Sequence, residues 1–382
     1  MPSNQMVLGL DLQGGAHILL QIEKSGIVDD RLQSIKGEIR SLLREDKIGY
    51  TGLKINKNSI QVRIRDTALV DQAVTKLETL EQSVNAGLFA ASALREVTIE
   101  NSGDGIVRAV LTEEGINARV RSAVDQSIEV IRRRIDELGT TEPIIQREGA
   151  DRILVQIPGL DDSGRLKEIL KATAKLEFRM IDQSMSGDQA KQTGAPIDSE
   201  ILSDAEDENY FHLVKKRAVV GGDELEDSQQ SFDQRTNEAV VTFRFNTSGA
   251  RKFAVATSAN VGRPFAIVLD GKVISAPVIQ TPIIGGSGQI TGNFTPQSAN
   301  DLAILLRAGA LPAELTIVEE RSVGPGLGAD SVASGKNAGI IGAIAVLVFM
   351  FLSYGVFGLI ADIALVINVA LLVGVLSMLG AT

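Results

Sequence analysis

Two apolar runs at the C-terminal end constrain this chain most. From Ala338 to Leu352 no residue is charged, Ser353-Tyr354-Gly355 interrupts, and a second run from Val356 to Leu379 carries Asp362 as its one ionisable side chain. A spanning helix needs about 20 predominantly apolar residues. The pattern therefore predicts a membrane hairpin, about 338–354 and 356–379, with both ends on the side that holds residues 1–335. Gly339, Gly342, Gly355, Gly358 and Gly374 suit close helix packing. Asp362 and Asn368 are the polar exceptions. An intramembrane carboxylate is a functional candidate, although Asp362 lies near enough to the turn to reach water, and Asn368 suits a hydrogen bond to a neighbouring helix. The turn has no Lys or Arg and Lys336 alone flanks the other side, so charge leaves the orientation open. Met1-Pro2-Ser3-Asn4-Gln5 has neither a basic nor an apolar targeting region. Either the large domain is cytoplasmic or an export element precedes it.

The remaining length allows about two or three domains, and it reads as mixed α and β. Leu8, Leu10 and Leu12 alternate with other residues, and beyond Gly14-Gly15 the parity resumes with Ala16, Ile18, Leu20 and Ile22, a strand with one buried face. Helices are expected at 29–45 and 67–84 around strands at 52–64, an insertion at about 24–110. The clearest helix runs from Glu113 to Leu138, with Ile116, Val120, Val124, Ile128, Ile131 and Ile135 at steps of three or four, Thr112 as cap and Gly139 as stop. Strands at 143–147 and 152–157, a helix at 163–172 and a strand at Leu176–Ile181 follow. With the first strand they give a βαββαβ order, the ferredoxin-like plan. From Asp182 to Asn209 hydrophobicity falls, which predicts a domain boundary or flexible entry. Beyond it come a strand at 239–245, a helix at 249–260, an Asp270-Gly271 hairpin suited to a type I′ turn, a helix capped by Thr295-Pro296 and stopped by Gly309, and a strand at Leu315–Val318. Gly324-Pro325-Gly326-Leu327-Gly328 reads as a non-helical hinge before the membrane.

Chemistry is excluded more than indicated. With 48 acidic against 38 basic side chains and a formal charge of −10, no phosphate-neutralising surface is expected, hence no nucleic acid. The absence of cysteine excludes disulfides, cysteine nucleophiles and thiolate metal sites. His17 and His212 are the only histidines, so no metal centre is expected. The acidic runs 204–208 and 223–227 lack the spacing of a calcium loop and read as solvated faces. Gly324 to Lys336 fails the phosphate-loop pattern at Asp330 and Asn337. No cofactor and no enzymatic activity is expected.

Several strings are more specific. Leu8-Gly9-Leu10-Asp11-Leu12-Gln13-Gly14-Gly15 resembles the Gly-Leu-Asp-Leu-x-Gly-Gly signature of the SecD family of bacterial protein-export membrane subunits. Arg132 to Gly139 with Glu142-Pro143 and Gly149 to Ile153, Ala174 to Arg179, Leu305 to Pro312, and Val318 to Gly328 are similar to later blocks in the same order. The resemblance implies a ferredoxin-like periplasmic base at 1–181, an inserted α+β head at 182–312, a returning base strand and Gly-rich hinge at 313–334, and two transmembrane helices within 335–382. Its signature residues here are Asp11, Gly14, Gly15, Gly309, Pro312, Gly324, Pro325 and Gly328. It also implies a multi-pass place in the inner membrane, with SecF, the SecYEG channel, YajC, exported preproteins, the lipid bilayer and, indirectly, SecA as partners. A first membrane helix before Met1 and further helices after Thr382 are expected, the proton-linked carboxylate among them, so that role is not transferred to Asp362. In such a protein proton movement swings the head against the base to pull or hold an emerging polypeptide. Segment 182–209 and Ala310-Leu311-Pro312 are the expected hinges. A passive tethered chaperone and a small-molecule efflux subunit of the related transporter superfamily are the alternatives.

Overall fold

The computed structural model describes residues 15–81, 95–139, 143–158, 163–323 and 325–379 as a mixed α and β chain. Alternation starts it. Strand β1, Gly15–Ile22, buries Ala16, Ile18, Leu20 and Ile22 on one face, as a period of two requires. Asp11, Gly14 and the preceding Leu8 to Leu12 lie outside the described residues.

An insertion follows with its own core. Helix α1, Lys24–Glu45, places Leu32, Ile35, Ile39 and Leu43 on one stripe. That stripe packs on a sheet of β2 (Tyr50–Asn56), β3 (Ser59–Ile64), β4 (Val97–Asn101) and β5 (Ile106–Leu111) in the order β2-β3-β5-β4. The long helix expected at 67–84 is instead a short one, α2 (Val70–Leu77), between two 3-10 turns. Asp66 caps the first turn through Ala68 N and the Thr79 hydroxyl bonds back to Lys76 O, so polar side chains compete with helix continuation at both ends. Residues 82–84 lie outside the described ones. Helix α3, Glu113–Glu137, is capped by the Thr112 hydroxyl, which accepts from Gly115 N at 2.9 Å. Glu96 ties the insertion to it. Burial pushes this carboxyl up, but hydrogen bonds from Arg119 and Arg31 outweigh that and hold it below its usual range.

β6 (Ile144–Glu148), β7 (Arg152–Pro158) and helix α4 (Ser163–Lys171) return the chain to the sheet that holds β1, called the base sheet below. The next strand, β8 (Leu176–Ile181), does not complete the base sheet as the chain order suggests. β8 pairs with β10 (Phe211–Gly221) and β13 (Phe265–Leu269). The fourth base position is taken by β16 (Leu315–Val323), giving an antiparallel sheet in the order β16-β1-β7-β6. The reason is packing. Phe178 of β8 sits among Phe243, Phe245, Phe253 and Phe265 at centroid distances of 5.0–6.3 Å, whereas Leu315 and Ile317 join Ile18, Leu20 and Val155 in the base core.

The second body comprises a five-stranded sheet, β14-β13-β8-β10-β9, with β9 at Ser199–Ser203 and β14 at Lys272–Ser275. Its three-stranded companion, β11-β12-β15, uses Leu225–Phe232, Ala239–Phe245 and Ser287–Phe294. Asp270 and Gly271 turn the β13–β14 hairpin with φ of 49° and 79°, as a type I′ turn demands. Helices α6 (Thr247–Ala259) and α7 (Pro296–Ala308) contribute Phe253, Ala299, Leu302, Ala303 and Leu306 to the core between the sheets.

The polar stretch 182–209 is ordered rather than a loose entry. It forms helix α5, Gly187–Thr193, with a Ser186–Gln189 capping box, and then β9. Its polar residues act as caps and anchors. Asp182 accepts from Lys215 Nζ at 2.7 Å, Ser199 Oγ at 2.6 Å and Ser184 N at 3.0 Å. The lysine first, then the serines, hold its carboxyl well below the usual carboxylate range. The folded value lies below the unfolded value of about 3.9, so this stabilisation is complete above that pH and is lost as pH falls through the folded value. Urea unfolding of the parent and Asp182→Asn between about pH 6 and about pH 2 is therefore expected to show a stability gap that closes with acid. A gap independent of pH would remove Asp182 from the acid response.

After β16 the chain forms helix α8, Pro325–Tyr354, turns at Gly355 (φ 56°) and returns as α9, Val356–Leu379. The segment expected as a non-helical hinge is thus helical from Pro325 onward, with proline at the first position, where its missing N–H costs nothing. Within α8, Ser334–Tyr354 is long and apolar enough to cross a membrane; the apolar part of α9, Val356–Leu372, is shorter. Gly358 sits where a Cβ would lie 2.2 Å from Met350 O, while Gly339, Gly342 and Gly374 face open space among the described residues.

Candidate functional site

The signature residues separate to two ends of the base sheet. Gly15, with φ 142°, pairs with Val323 and Pro158, so the start of β1 meets the segment that enters α8. Gly324 lies outside the described residues, and Pro325 and Gly328 occupy the first turns of α8. Gly309 and Pro312 lie at the other end, ahead of Leu315, which pairs with Ile22. The length of β16 holds the two groups about 27 Å apart. One end leads into α8; the other carries the second body.

At that second end the chain crosses twice, from α4 to β8 through residues 172–175 and from α7 to β16 through 309–314. The crossings touch, because Leu311 N donates to Thr173 O at 2.8 Å. Arg134 of α3 lies beneath them with no exposed surface. Its Nη1 donates to Ile169 O and Ala172 O, both at 2.6 Å, and its Nη2 to Gly309 O at 3.2 Å and Thr173 O at 3.5 Å. One guanidinium thus binds backbone from both crossings. Burial pulls its pKa down to about 10, opposed by the charge of Asp270, which leaves it cationic at neutral pH. The planar fork of five donors suits several carbonyls at once.

Asp270 clasps the first crossing from the β13–β14 hairpin. Its carboxylate accepts from the Thr173 hydroxyl, from Ala174 N at 3.1 Å and from Lys175 N at 2.8 Å, while its own N–H donates to Lys175 O. Ala174 between them is held at φ 56°, a left-handed conformation that alanine rarely adopts. Two ion pairs span the rim: Arg165 of α4 with Asp301 of α7 at 2.6 Å, and Arg307 of α7 with Glu137 of α3 at 2.8 Å.

Of these residues, Gly309 alone is singled out in the sequence. Arg134 lies in the Arg-Arg-Arg string of one signature block, and the detectable signal is its register: three residues after Ile131 and four before Leu138, on the apolar stripe. Asp270 reads only as a turn residue. Gly309 has φ 90° after α7, and its carbonyl accepts from Arg134.

The other candidates are dispersed. His17 bonds Gln156 at 3.0 Å on the base sheet, and His212 bonds Asp204 at 3.1 Å. The acidic runs serve internal contacts, Glu206 with Asn293 and Glu224 with Lys252 and Ser248. Among the described residues no group of three His, Asp or Glu could share a metal ion. In α9, Asp362 Oδ1 is shielded and has no hydrogen-bond partner among the described residues, and Asn368 is exposed on the helix surface.

Comparison with known proteins divides the chain after β8, where the strand pairing divides it before β8. A model of the SecDF P1 head subdomain matches residues 199–313, one of the N-terminal part of the P1 domain of translocase subunit SecDF matches 124–183, and one of the SecD/SecF GG motif matches 1–25. The chain is 44% identical to protein translocase subunit SecD of Rickettsia conorii over 384 residues, covering all of this chain and 71% of that relative. It is 43% identical to the subunit of the same name from Acetobacter pasteurianus over 385 residues, again with 71% of the relative covered. A crystal structure of SecDF in its super-membrane-facing form aligns with a TM-score of 0.50 and 26% identity, covering all of this chain and 40% of that one.

Proposed function

Because the chain belongs to the SecD family of protein-translocase subunits, we propose that it serves as an accessory subunit of the Sec translocase. In this role it assists export of preproteins across the cytoplasmic membrane by turning its head against its base. The observation that carries this reading is the junction: two bodies with separate cores, joined by two short crossings and a polar rim. Such joints between domains move by default unless the interface is large and apolar.

The finer parts of the reading have support of different kinds. The order β16-β1-β7-β6, with α3 and α4 feeding the same core, favours a ferredoxin-like base. The strand pairing favours a head from about Leu176 to Ala308. The turn at Gly355 between α8 and α9 suits two passes through the bilayer, and the periplasmic side is proposed for the large bodies from the family resemblance alone. On the head, Val255 of α6 is 68% exposed and Ile284, on the loop that runs back along α6, is 76% exposed. Thr257 Oγ1 accepts from Ile283 N and joins that loop to the helix. Exposed aliphatic side chains of this kind suit transient contact with an unfolded segment. SecF, SecYEG and YajC are the proposed membrane partners, with SecA acting indirectly, and the proton motive force is the proposed energy source. No bond chemistry is assigned.

The test is secretion. In cells depleted of their own SecD, the full-length protein should restore signal-peptide processing of a pulse-labelled preprotein, and collapsing the proton gradient should remove the gain. Restoration that survives collapse would leave a passive holder. A change in drug resistance without any secretion effect would replace the reading with small-molecule efflux.

A further inference from the structure

The fastenings across the junction fall into two physical classes. Arg134 has no exposed surface, and three of the four carbonyls it binds belong to the backbone at the points where the chain passes from one body to the other. Releasing those oxygens would strand buried acceptors beside a buried charge. The rim pairs differ. Arg165–Asp301 and Arg307–Glu137 have side chains between 23% and 34% exposed, within reach of water and salt. Both start from α7 of the head and end on different base helices, α4 and α3, so a turn of the head must break them together.

We infer that Arg134 is a fixed axle about which the head turns, and that the Arg165–Asp301 and Arg307–Glu137 pairs are a releasable catch holding the present orientation. The inference rests on the reading of a moving head and adds which contacts hold and which let go. The backbone of the first crossing fits the assignment. Ala174 lies in the left-handed region beside the axle, so rotation of the chain there has a more relaxed conformation to move into.

The chain has no cysteine, so two can be placed for spin labels. Ile144 on the base and Val255 on the head are both exposed. Distances between labels at Ile144→Cys and Val255→Cys are measured in the full chain in lipid vesicles. Glu137→Gln with Asp301→Asn, both isosteric surface changes, should raise a second distance population about tenfold relative to the parent. High salt should move the parent in the same direction and the double variant much less. A double variant with the parent's single distance at low and high salt would overturn the catch. Arg134→Lys should broaden every distance without favouring either orientation, because a shorter point charge cannot hold all the carbonyls; widths equal to the parent's would overturn the axle. These distances are read without secretion, so their failure is separate from a failure to restore export.

Discussion

Arg134→Met is expected to cost about 3–5 kcal/mol of folding stability, the range for leaving one side of a buried polar arrangement without its partner. Replacing a buried ion by a hydrophobic side chain is often neutral when its polar partners are replaced too. Here that remedy is missing, because the partners are the main-chain oxygens of Ile169, Ala172, Thr173 and Gly309. Methionine fills much of the volume and satisfies none of them. Arg134→Lys keeps the charge and up to three donors, and should lose about half as much. Urea unfolding of the purified chain should rank parent, lysine variant, methionine variant in falling order. A methionine variant as stable as the parent would mean that water or other groups serve these carbonyls.

Most elements were legible because their signals are local. The i, i+3, i+4 stripe of α3, the Thr112 and Thr295 caps and the Asp270-Gly271 turn each depend on a few neighbouring residues, and each stands where the pattern puts it. Partner choice is not local. The βαββαβ order is satisfied in sequence by β8 as readily as by β16; the choice is made by five phenylalanines that pack β8 into the second body. The same limit applied to 182–209, where serine, aspartate and glycine look like a linker and instead cap α5 and anchor Asp182. Gly187 shows why a small residue is needed there, since a Cβ would lie 1.8 Å from Phe211 O.

The site was harder to read. Gly309 was visible as a helix stop, and the backbone conformation explains it. Arg134 was hidden by its own chemistry, because an arginine beside Arg132 and Arg133 reads as a solvated face until its register against Ile131 is counted. The rim pairs link residues far apart in sequence, Arg165 to Asp301 and Glu137 to Arg307, and only the fold brings them together.

A reversible lock across the rim should stop the protein from working. Glu137 and Arg307 meet at 2.8 Å, one on α3 of the base and the other on α7 of the head. In Glu137→Cys with Arg307→Cys, a short reducible bis-thiosulfonate linker can replace the ion pair with a covalent strap. The chain has no other cysteine to compete. Secretion of a pulse-labelled preprotein is measured in cells that depend on this protein, before linkage, after linkage, and after reduction, with each single variant as control. Loss of secretion to the level of cells without the protein, recovered on reduction and absent from the single variants, is the outcome expected if the head must turn. Unimpaired secretion with the strap fully formed would contradict a working stroke at this junction.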